Sequence, residues 1–190
     1  MKKLLFAILF LAIIIASANA EQTTKVYEYP TAFQSGQKII QGGLGFGMAG
    51  TYGDIVIPPV SVSFDIAKEI EGLPISFGGI IGLAKSEYDF GWLTYDYKWT
   101  YTYFVLGARS AFHFKLTSDK LDPYTGVMLG YSVVTLDEPS GFTGTYSAGE
   151  SYLMFGAYCG ARYFFNPKWA AYAELGYGFG YLNLGVSYKF

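Results

Sequence analysis

Residues 60–66, "VSVSFDI", carry the pattern that decides the fold. Apolar and polar side chains alternate strictly along this stretch. One parity holds Val60, Val62, Phe64 and Ile66, and the other holds Ser61, Ser63 and Asp65. A period of two places successive side chains on opposite faces of a β-strand, and helical spacing does not fit it. The stretch therefore predicts a strand with one apolar and one polar face.

The same alternation recurs along the chain after a polar, unpatterned start. It predicts eight strands, at 38–50, 57–68, 74–86, 99–114, 123–134, 151–165, 168–178 and 181–190. Prolines fall where these segments begin, as at Pro58, Pro59, Pro74, Pro123 and Pro167, where a missing N–H costs a β-ladder least. Short and long connections largely alternate between the strands. The pattern predicts an antiparallel up-and-down sheet.

The composition indicates which face is turned outward. Apolar residues make up 52% of the chain and charged residues only 15%, below the roughly 25% of an ordinary soluble domain. In the sixth and seventh predicted strands one face is almost wholly apolar, whereas the other carries Arg162 and Glu174. Charged side chains inside and apolar side chains outside are the arrangement of a barrel in lipid, the reverse of a soluble barrel. We therefore predict an all-β, eight-stranded antiparallel transmembrane up-and-down β-barrel.

The N-terminal residues have the three parts of a secretory signal peptide. Two lysines precede the apolar run at 4–16, and Ser17-Ala18-Asn19-Ala20 ends the segment with a small-residue cleavage pattern. The apolar run is shorter than the roughly 18 residues of a spanning helix. We expect a cleaved signal peptide at 1–20, a loose periplasmic lead-in segment at 21–37 and the barrel domain at 38–190.

Charge and cysteine content exclude several function classes. Thirteen basic residues face fifteen acidic ones, which leaves no basic surplus for nucleic acid. Cys159 is the single cysteine, so a disulfide framework is excluded. Neither a calcium-loop spacing nor a nucleotide-binding motif is present, and we expect no metal and no cofactor.

A repeated Gly-Ala-Arg motif predicts charge inside the barrel. It occurs at 107–109 and 160–162, and parity turns Arg109 and Arg162 inward together with Asp65 and Glu174. The tight turn between strands six and seven makes Arg162 and Glu174 neighbours. Because an eight-stranded barrel has room for little beyond its own side chains, we expect a structural charge network that fills the interior. A gated pore made by rearranged pairs is the alternative.

Aromatic residues gather near the predicted strand ends. Trp99, Tyr101 and Tyr103 lie at one end of the fourth strand, and Tyr163, Phe164, Phe165 and Trp169 surround the turn at Asn166-Pro167. Tyrosine and tryptophan favour the headgroup region of a membrane. We expect two aromatic girdles.

Several segments resemble the small eight-stranded outer-membrane barrels of Gram-negative bacteria, the OmpA- and OmpX-like superfamily. They are the two Gly-Ala-Arg motifs, Asp122-Pro123-Tyr124 and Glu174-Leu175-Gly176-Tyr177. The resemblance implies an outer-membrane location, contact with outer-membrane lipid, and passage through periplasmic chaperones and the assembly machinery. In that superfamily the last strand is read as an assembly signal, which here matches Leu182, Leu184, Val186, Tyr188 and Phe190.

The connection between strands three and four is the candidate contact site. It is rich in acidic and aromatic residues, namely Glu87, Tyr88, Asp89, Phe90, Trp92, Tyr95, Asp96 and Tyr97. Such a composition suits surface structure or adhesion to a host or environmental ligand, although the segment could instead be a hairpin that continues the barrel. A narrow channel or carrier, similar to the OmpW-like barrels, is the alternative function.

An enzyme that modifies lipid A is less favoured, and we expect no enzymatic activity. The only histidine, His113, falls at the predicted periplasmic end, away from that lipid. A serine paired with it would be badly placed for such a substrate, so we expect a buried or rim histidine.

Overall fold

The computed structural model of the protein describes residues 32–92, 95–116, 118, 120–137 and 151–190. Side chains are described for the same residues except 90–92 and 95–97. The expected signal peptide at 1–20, most of the lead-in at 21–37 and the long connection at 138–150 lie outside the described residues.

The described residues form one closed antiparallel barrel of eight strands. Each strand pairs with the next along the chain, and β1 pairs with β8 to close the ring. The strands are β1 Lys38–Phe46, β2 Asp54–Ile70, β3 Leu73–Trp92, β4 Tyr95–His113, β5 Leu121–Asp137, β6 Tyr152–Phe164, β7 Trp169–Tyr177 and β8 Leu182–Lys189. The predicted all-β architecture and the number of strands are confirmed. Within the described residues no helix has the length and apolarity to cross a membrane.

The largest departures from the predicted boundaries lie in β2, β3 and β4. Strands β3 and β4 run far into the segment that was a candidate loop, and meet at a connection of only two residues, 93–94. Pro58 and Pro59 lie inside β2 rather than at its start. The register of β2 against β3 shifts between Ile57 and Val60 at this point. An irregularity in the ladder tolerates the missing N–H groups, so the prolines mark a bulge and not a boundary.

The outer surface carries a continuous apolar band. On β3 the outward positions from Leu73 to Leu83 are apolar or glycine, and outward charge begins at Lys85. Ten residue steps of about 3.3 Å, in strands tilted by about 40°, span roughly 25 Å of height, which is the thickness of a transmembrane barrel's apolar band. Exposed apolar side chains continue this band around the ring, including Phe104, Leu106, Val127, Leu129, Phe155, Leu175, Leu184 and Val186.

The interior is filled in three layers. We call the end where β1 begins and β8 ends the proximal end, and the opposite one the distal end. An apolar proximal layer consists of Ala32, Phe33, Ile39, Ala67, Phe164 and Ala170. An apolar distal layer consists of Met48, Ile80, Ala84, Tyr103, Val105, Met128, Val134, Met154 and Phe179. Buried charged and polar side chains lie between these layers.

Three expectations about inward and outward residues are wrong. The lead-in is not loose at 32–37, because Ala32 and Phe33 are buried in the proximal layer. Tyr103 and Phe164, expected in the girdles, are buried inside. Tyr103 accepts a hydrogen bond from the backbone N–H of Tyr52 at 3.1 Å, so a distal loop uses it as an internal anchor.

Candidate functional site

Arg162 lies at the centre of the first half of the interior charge network. Its Nη1 donates to Asp122 Oδ2 at 2.9 Å, and its Nη2 approaches Asp65 Oδ2 at 3.2 Å. Its Nε and Nη2 both donate to Gln41 Oε1, at 2.9 and 2.8 Å. The guanidinium carbon lies 4.2 Å from the ring centroid of Tyr124. A planar guanidinium with several fixed donors suits this crowded set of acceptors.

Arg109 organises the second half. Its Nη2 donates to Glu174 Oε1 at 2.6 Å, and its Nε donates to the hydroxyl of Tyr158 at 3.1 Å. The same Nε lies 3.4 Å from Asp65 Oδ1, an oxygen that makes no hydrogen bond among the described residues. Asp65 therefore faces both arginines, and it joins the two halves into one network.

The four predicted network residues thus come together, and the predicted neighbours Arg162 and Glu174 do not pair with each other. Glu174 is diagonal to Arg162 across the β6–β7 ladder, since Arg162 lies opposite Tyr172 and Gly160 opposite Glu174. Glu174 nevertheless pairs with Arg109, and it also accepts from Gln41 Nε2 at 3.1 Å. Glu174 pairs across the lumen rather than with its neighbour on the adjacent strand, because a long inward side chain reaches any strand of a narrow barrel.

A glycine on β6 makes room for this arrangement. A Cβ on Gly160 would lie 2.8 Å from Glu174 Cγ and 3.0 Å from the hydroxyl of Tyr124. Tyr124 donates from that hydroxyl to Glu174 Oε1 at 2.8 Å. The small residue of the Gly-Ala-Arg motif therefore gives the tyrosine and the carboxylate the space in which they meet.

His113 extends the network toward the proximal end. Its Nδ1 is 2.7 Å from Asp122 Oδ1, and its Nε2 is 2.9 Å from Ser76 Oγ. The expected burial of His113 is confirmed, whereas its serine partner was not identified from the sequence. Ser76 lies on β3 opposite Ala111 of β4, two residues from His113. Its nearness to His113 depends on the register of the two strands, and the only sign of it in the sequence is that both side chains fall on the inward face.

Serine, histidine and aspartate in this order form the hydrogen-bonded chain of many hydrolases. All three are only 1% exposed, and the ring of Phe33 packs edge-on against His113 with centroids 5.2 Å apart. A cavity of about 30 Å³, room for about two water molecules, lies beside Arg109 and Glu174, and neither Ser76 nor His113 lines it. In this closed surrounding the three side chains satisfy one another's buried polar groups.

The β3–β4 hairpin is the second candidate region. Ladder pairs between β2 and β3 end at Asp54 and Glu87, and those between β4 and β5 begin at Thr100 and Asp137. Beyond this level, five pairs from Tyr88–Trp99 to Trp92–Tyr95 join β3 to β4, and no other described residue pairs with them. The hairpin therefore extends about 17 Å past β2 and past the described part of β5, at about 3.3 Å per residue.

The charged side chains of the hairpin reach solvent, with Lys98 and Asp89 exposed and Glu87 half-buried. Lys98 Nζ lies 3.3 Å from Glu87 Oε2. The hydrogen bond to Glu87 and the nearby carboxylate of Asp89 raise the pKa of Lys98. Tyr88 and Asp89 are exposed as well, whereas Phe90, Trp92, Tyr95, Asp96 and Tyr97 have side chains outside the described set. Of the candidate contact residues, the three described beyond the band thus present charge and one aromatic ring to solvent.

The predicted assembly signal lies along β8 on the outer face. Leu184, Val186 and Phe190 are exposed, and Leu182 and Tyr188 are half-buried. Phe190 accepts at its carbonyl from Lys38 N–H at 3.0 Å and donates its own N–H to the Lys38 carbonyl at 2.9 Å. The last residue is therefore held in the seam that closes the ring.

Comparison with known proteins gives structural similarities only. No protein-family model and no curated protein sequence matches the chain. Similar solved structures include the N-terminal β-barrel domain of Pseudomonas aeruginosa OprF, at 16% identity and a TM-score of 0.48, covering 82% of this chain and 98% of that one. Another is Ail, the attachment invasion locus protein of Yersinia pestis, in complex with the heparin analogue sucrose octasulfate. It is 15% identical with a TM-score of 0.47, and the match covers 83% of this chain and all of that one. The outer membrane protein Ail in a phospholipid bilayer nanodisc is 17% identical with a TM-score of 0.46, covering 82% of this chain and all of that one.

Proposed function

We propose that the protein is an integral outer-membrane β-barrel of a Gram-negative bacterium that makes surface contacts through its β3–β4 hairpin. One observation carries the contact role, namely the five ladder pairs by which this hairpin extends past β2 and past the described residues of β5. The apolar outer band of about 25 Å supports the membrane location. Outer-membrane lipid is the partner of that band, and the partner of the hairpin is a host or environmental ligand.

The proposed route to the membrane uses the last strand. Periplasmic chaperones and the assembly machinery would recognise Leu182, Leu184, Val186, Tyr188 and Phe190, which lie along the outer face of β8. Removing Phe190 would lower the amount of barrel in the outer membrane more than it changes contact per molecule. Quantifying the protein in membrane fractions tests this role, with Leu175→Ala as the control, because Leu175 is an exposed apolar residue of β7 outside the signal.

The contact role is tested by shortening the hairpin. Glu87 and Thr100 are directly paired, so an Asn-Gly turn between them can replace residues 88–99 and close a regular hairpin. We expect bacteria that carry this variant to lose adhesion to immobilised matrix proteins and glycans. The barrel itself should keep its heat-modifiable migration on a gel, because the three interior layers lie below the deletion.

A matched control separates shape from chemistry. Changing the six aromatic residues of the hairpin to threonine keeps strand length while removing the rings. The residues are Tyr88, Phe90, Trp92, Tyr95, Tyr97 and Trp99. Loss of adhesion in both variants assigns contact to the aromatic rings, and loss only on shortening assigns it to the reach of the hairpin. Unchanged adhesion in both variants would refute the contact role.

A narrow channel or carrier is the alternative function. Apolar layers at both ends and a charge network between them support a closed interior. Planar-bilayer recordings of the purified protein should therefore show no steady conductance. A sustained open current would replace the contact role with the channel role.

A further inference from the structure

The outward charges of the barrel are segregated by sign. Among described residues they lie only beyond the two edges of the apolar band. In the part of the chain that the structure describes, the proximal edge carries five exposed lysines, Lys38, Lys68, Lys115, Lys120 and Lys168, against two glutamates, Glu69 and Glu71. The distal edge carries two lysines, Lys85 and Lys98, against four acids, Asp54, Glu87, Asp89 and Asp137. The proximal edge is basic and the distal edge is acidic.

The five proximal lysines, which we call the basic rim, are spread around the ring. Lys38 begins β1, Lys68 lies near the end of β2, Lys115 and Lys120 lie in the β4–β5 connection, and Lys168 precedes β7. No ion pair joins any of them to an acid within the described ranges, whereas distal Lys98 pairs with Glu87 at 3.3 Å. The rim therefore presents ammonium groups in several directions without a carboxylate partner among those residues.

The rim lies directly against apolar and aromatic surface. Phe114 precedes Lys115, Leu121 follows Lys120 and Trp169 follows Lys168, and these three side chains are 42%, 36% and 44% exposed. Lys168 Nζ lies 6.0 Å from the ring centroid of Tyr188. A lysine in such a place lays its aliphatic stem on the apolar band and extends its ammonium group to the headgroup level.

We propose that the basic rim binds the phosphate groups of anionic phospholipids in the leaflet at the proximal end of the barrel. This inference rests on the proposed membrane location and deepens it by naming the lipid. An ammonium group next to an anionic bilayer surface contributes about 1 kcal/mol, and an ammonium–phosphate pair is a charge-assisted hydrogen bond. The acidic distal edge offers no such attraction, so the two leaflets would be recognised differently.

Two variants with the same net charge test the proposal. The proximal variant is Lys115→Glu with Lys168→Glu, and the distal control is Lys85→Glu with Lys98→Glu. The full chain is refolded in detergent micelles that contain equal amounts of phosphatidylglycerol and phosphatidylcholine. Native mass spectrometry then counts the retained lipids of each kind, at low salt and at 0.5 M NaCl, where roughly 4 Å screening lengths weaken exposed attractions.

We expect the wild-type chain and the distal control to retain phosphatidylglycerol over phosphatidylcholine. The proximal variant should lose at least about fivefold of that preference for each lysine changed, the equivalent of 1 kcal/mol, and high salt should abolish the preference in all three. Equal loss in both variants would show a dependence on net charge alone and overturn the proposal. The absence of any preference in the wild-type chain would overturn it too.

The outcome is distinguishable from failure of the proposed function. Insertion into vesicles of phosphatidylcholine alone, followed by heat-modifiable migration, tests whether the chain is a membrane barrel at all. A chain that inserts but shows no lipid preference refutes only the basic rim. A chain that fails to insert refutes the membrane location itself.

Discussion

The filled barrel and the β3–β4 hairpin are built from the same two strands but are stabilised in different ways. Below Glu87 and Thr100, each of the two strands has a neighbour on both sides, and its inward residues join the three interior layers. Beyond that level β3 and β4 pair only with each other among the described residues, and their described charges face solvent. Substitutions should therefore cost stability in the barrel and little in the hairpin, where composition is free to serve contact.

The largest effect is expected from Arg162→Leu, which removes the centre of the charge network. Asp122 would lose its Nη1 donor and Asp65 its Nη2 partner, and both carboxylates are 1% exposed. Removing one partner of a buried ion pair typically costs about 3–5 kcal/mol, because the other charge stays buried without compensation. Urea unfolding of the refolded barrel in detergent, followed by gel mobility, measures the loss.

The neighbouring position supplies the control for that variant. Tyr163→Leu changes an outward side chain on the same strand, one residue away, and should leave the urea midpoint near the wild-type value. If Arg162→Leu shifts the midpoint no more than Tyr163→Leu, the network does not stabilise the barrel.

Phe33→Ala should have the next largest effect, because it empties the proximal layer. The ring is 1% exposed and packs against His113, and its centroid lies 5.7 Å from the guanidinium carbon of Arg162. Truncating a buried phenylalanine costs about 3 kcal/mol or more in a core, and the end of the barrel can relax to recover part of that. Phe165→Ala, an exposed position at the same end, is the matched control. Equal midpoints for the two variants would show that segment 32–37 does not close the barrel.

Alternation along the sequence predicts the strands and the faces, and it places Asp65, Arg109, Arg162 and Glu174 inside. It does not predict which inward residues meet, because the pairing of Glu174 with Arg109 depends on the tilt and stagger of the closed ring. The burial of Phe33 could not be predicted from the sequence either, because an irregular segment has no alternation of apolar and polar residues. Tyr103 was assigned to the wrong face because aromatic residues near it occupy both odd and even positions of the strand. The sequence there does not distinguish the inward from the outward face.

Ser76→Ala should have a smaller effect than either buried substitution. It removes the 2.9 Å partner of His113 Nε2 and leaves that nitrogen buried, while His113 keeps its contact with Asp122. An unsatisfied buried polar group costs about 1–2 kcal/mol. Ser110→Ala, on the outward face of β4, should change the urea midpoint much less. A midpoint for Ser76→Ala equal to that of Ser110→Ala would mean that water or another group replaces the serine.

Lys98→Ala should have the smallest effect on stability. It tests whether a substitution in the hairpin leaves the barrel unaffected. The pair with Glu87 is exposed, at 59% and 30% of the two side chains, so solvent screens it and the ladder below Thr100 is untouched. We expect an unchanged urea midpoint at pH 7, where the lysine is charged. The raised pKa of Lys98 means that the pair weakens only in alkaline solution, as the pH rises through that pKa, so the midpoint should also be the same at pH 8. A shift as large as that of Ser76→Ala would show that the hairpin unfolds together with the barrel. In that event the two regions would form one cooperative unit, and the hairpin could not vary its surface without a cost to the fold.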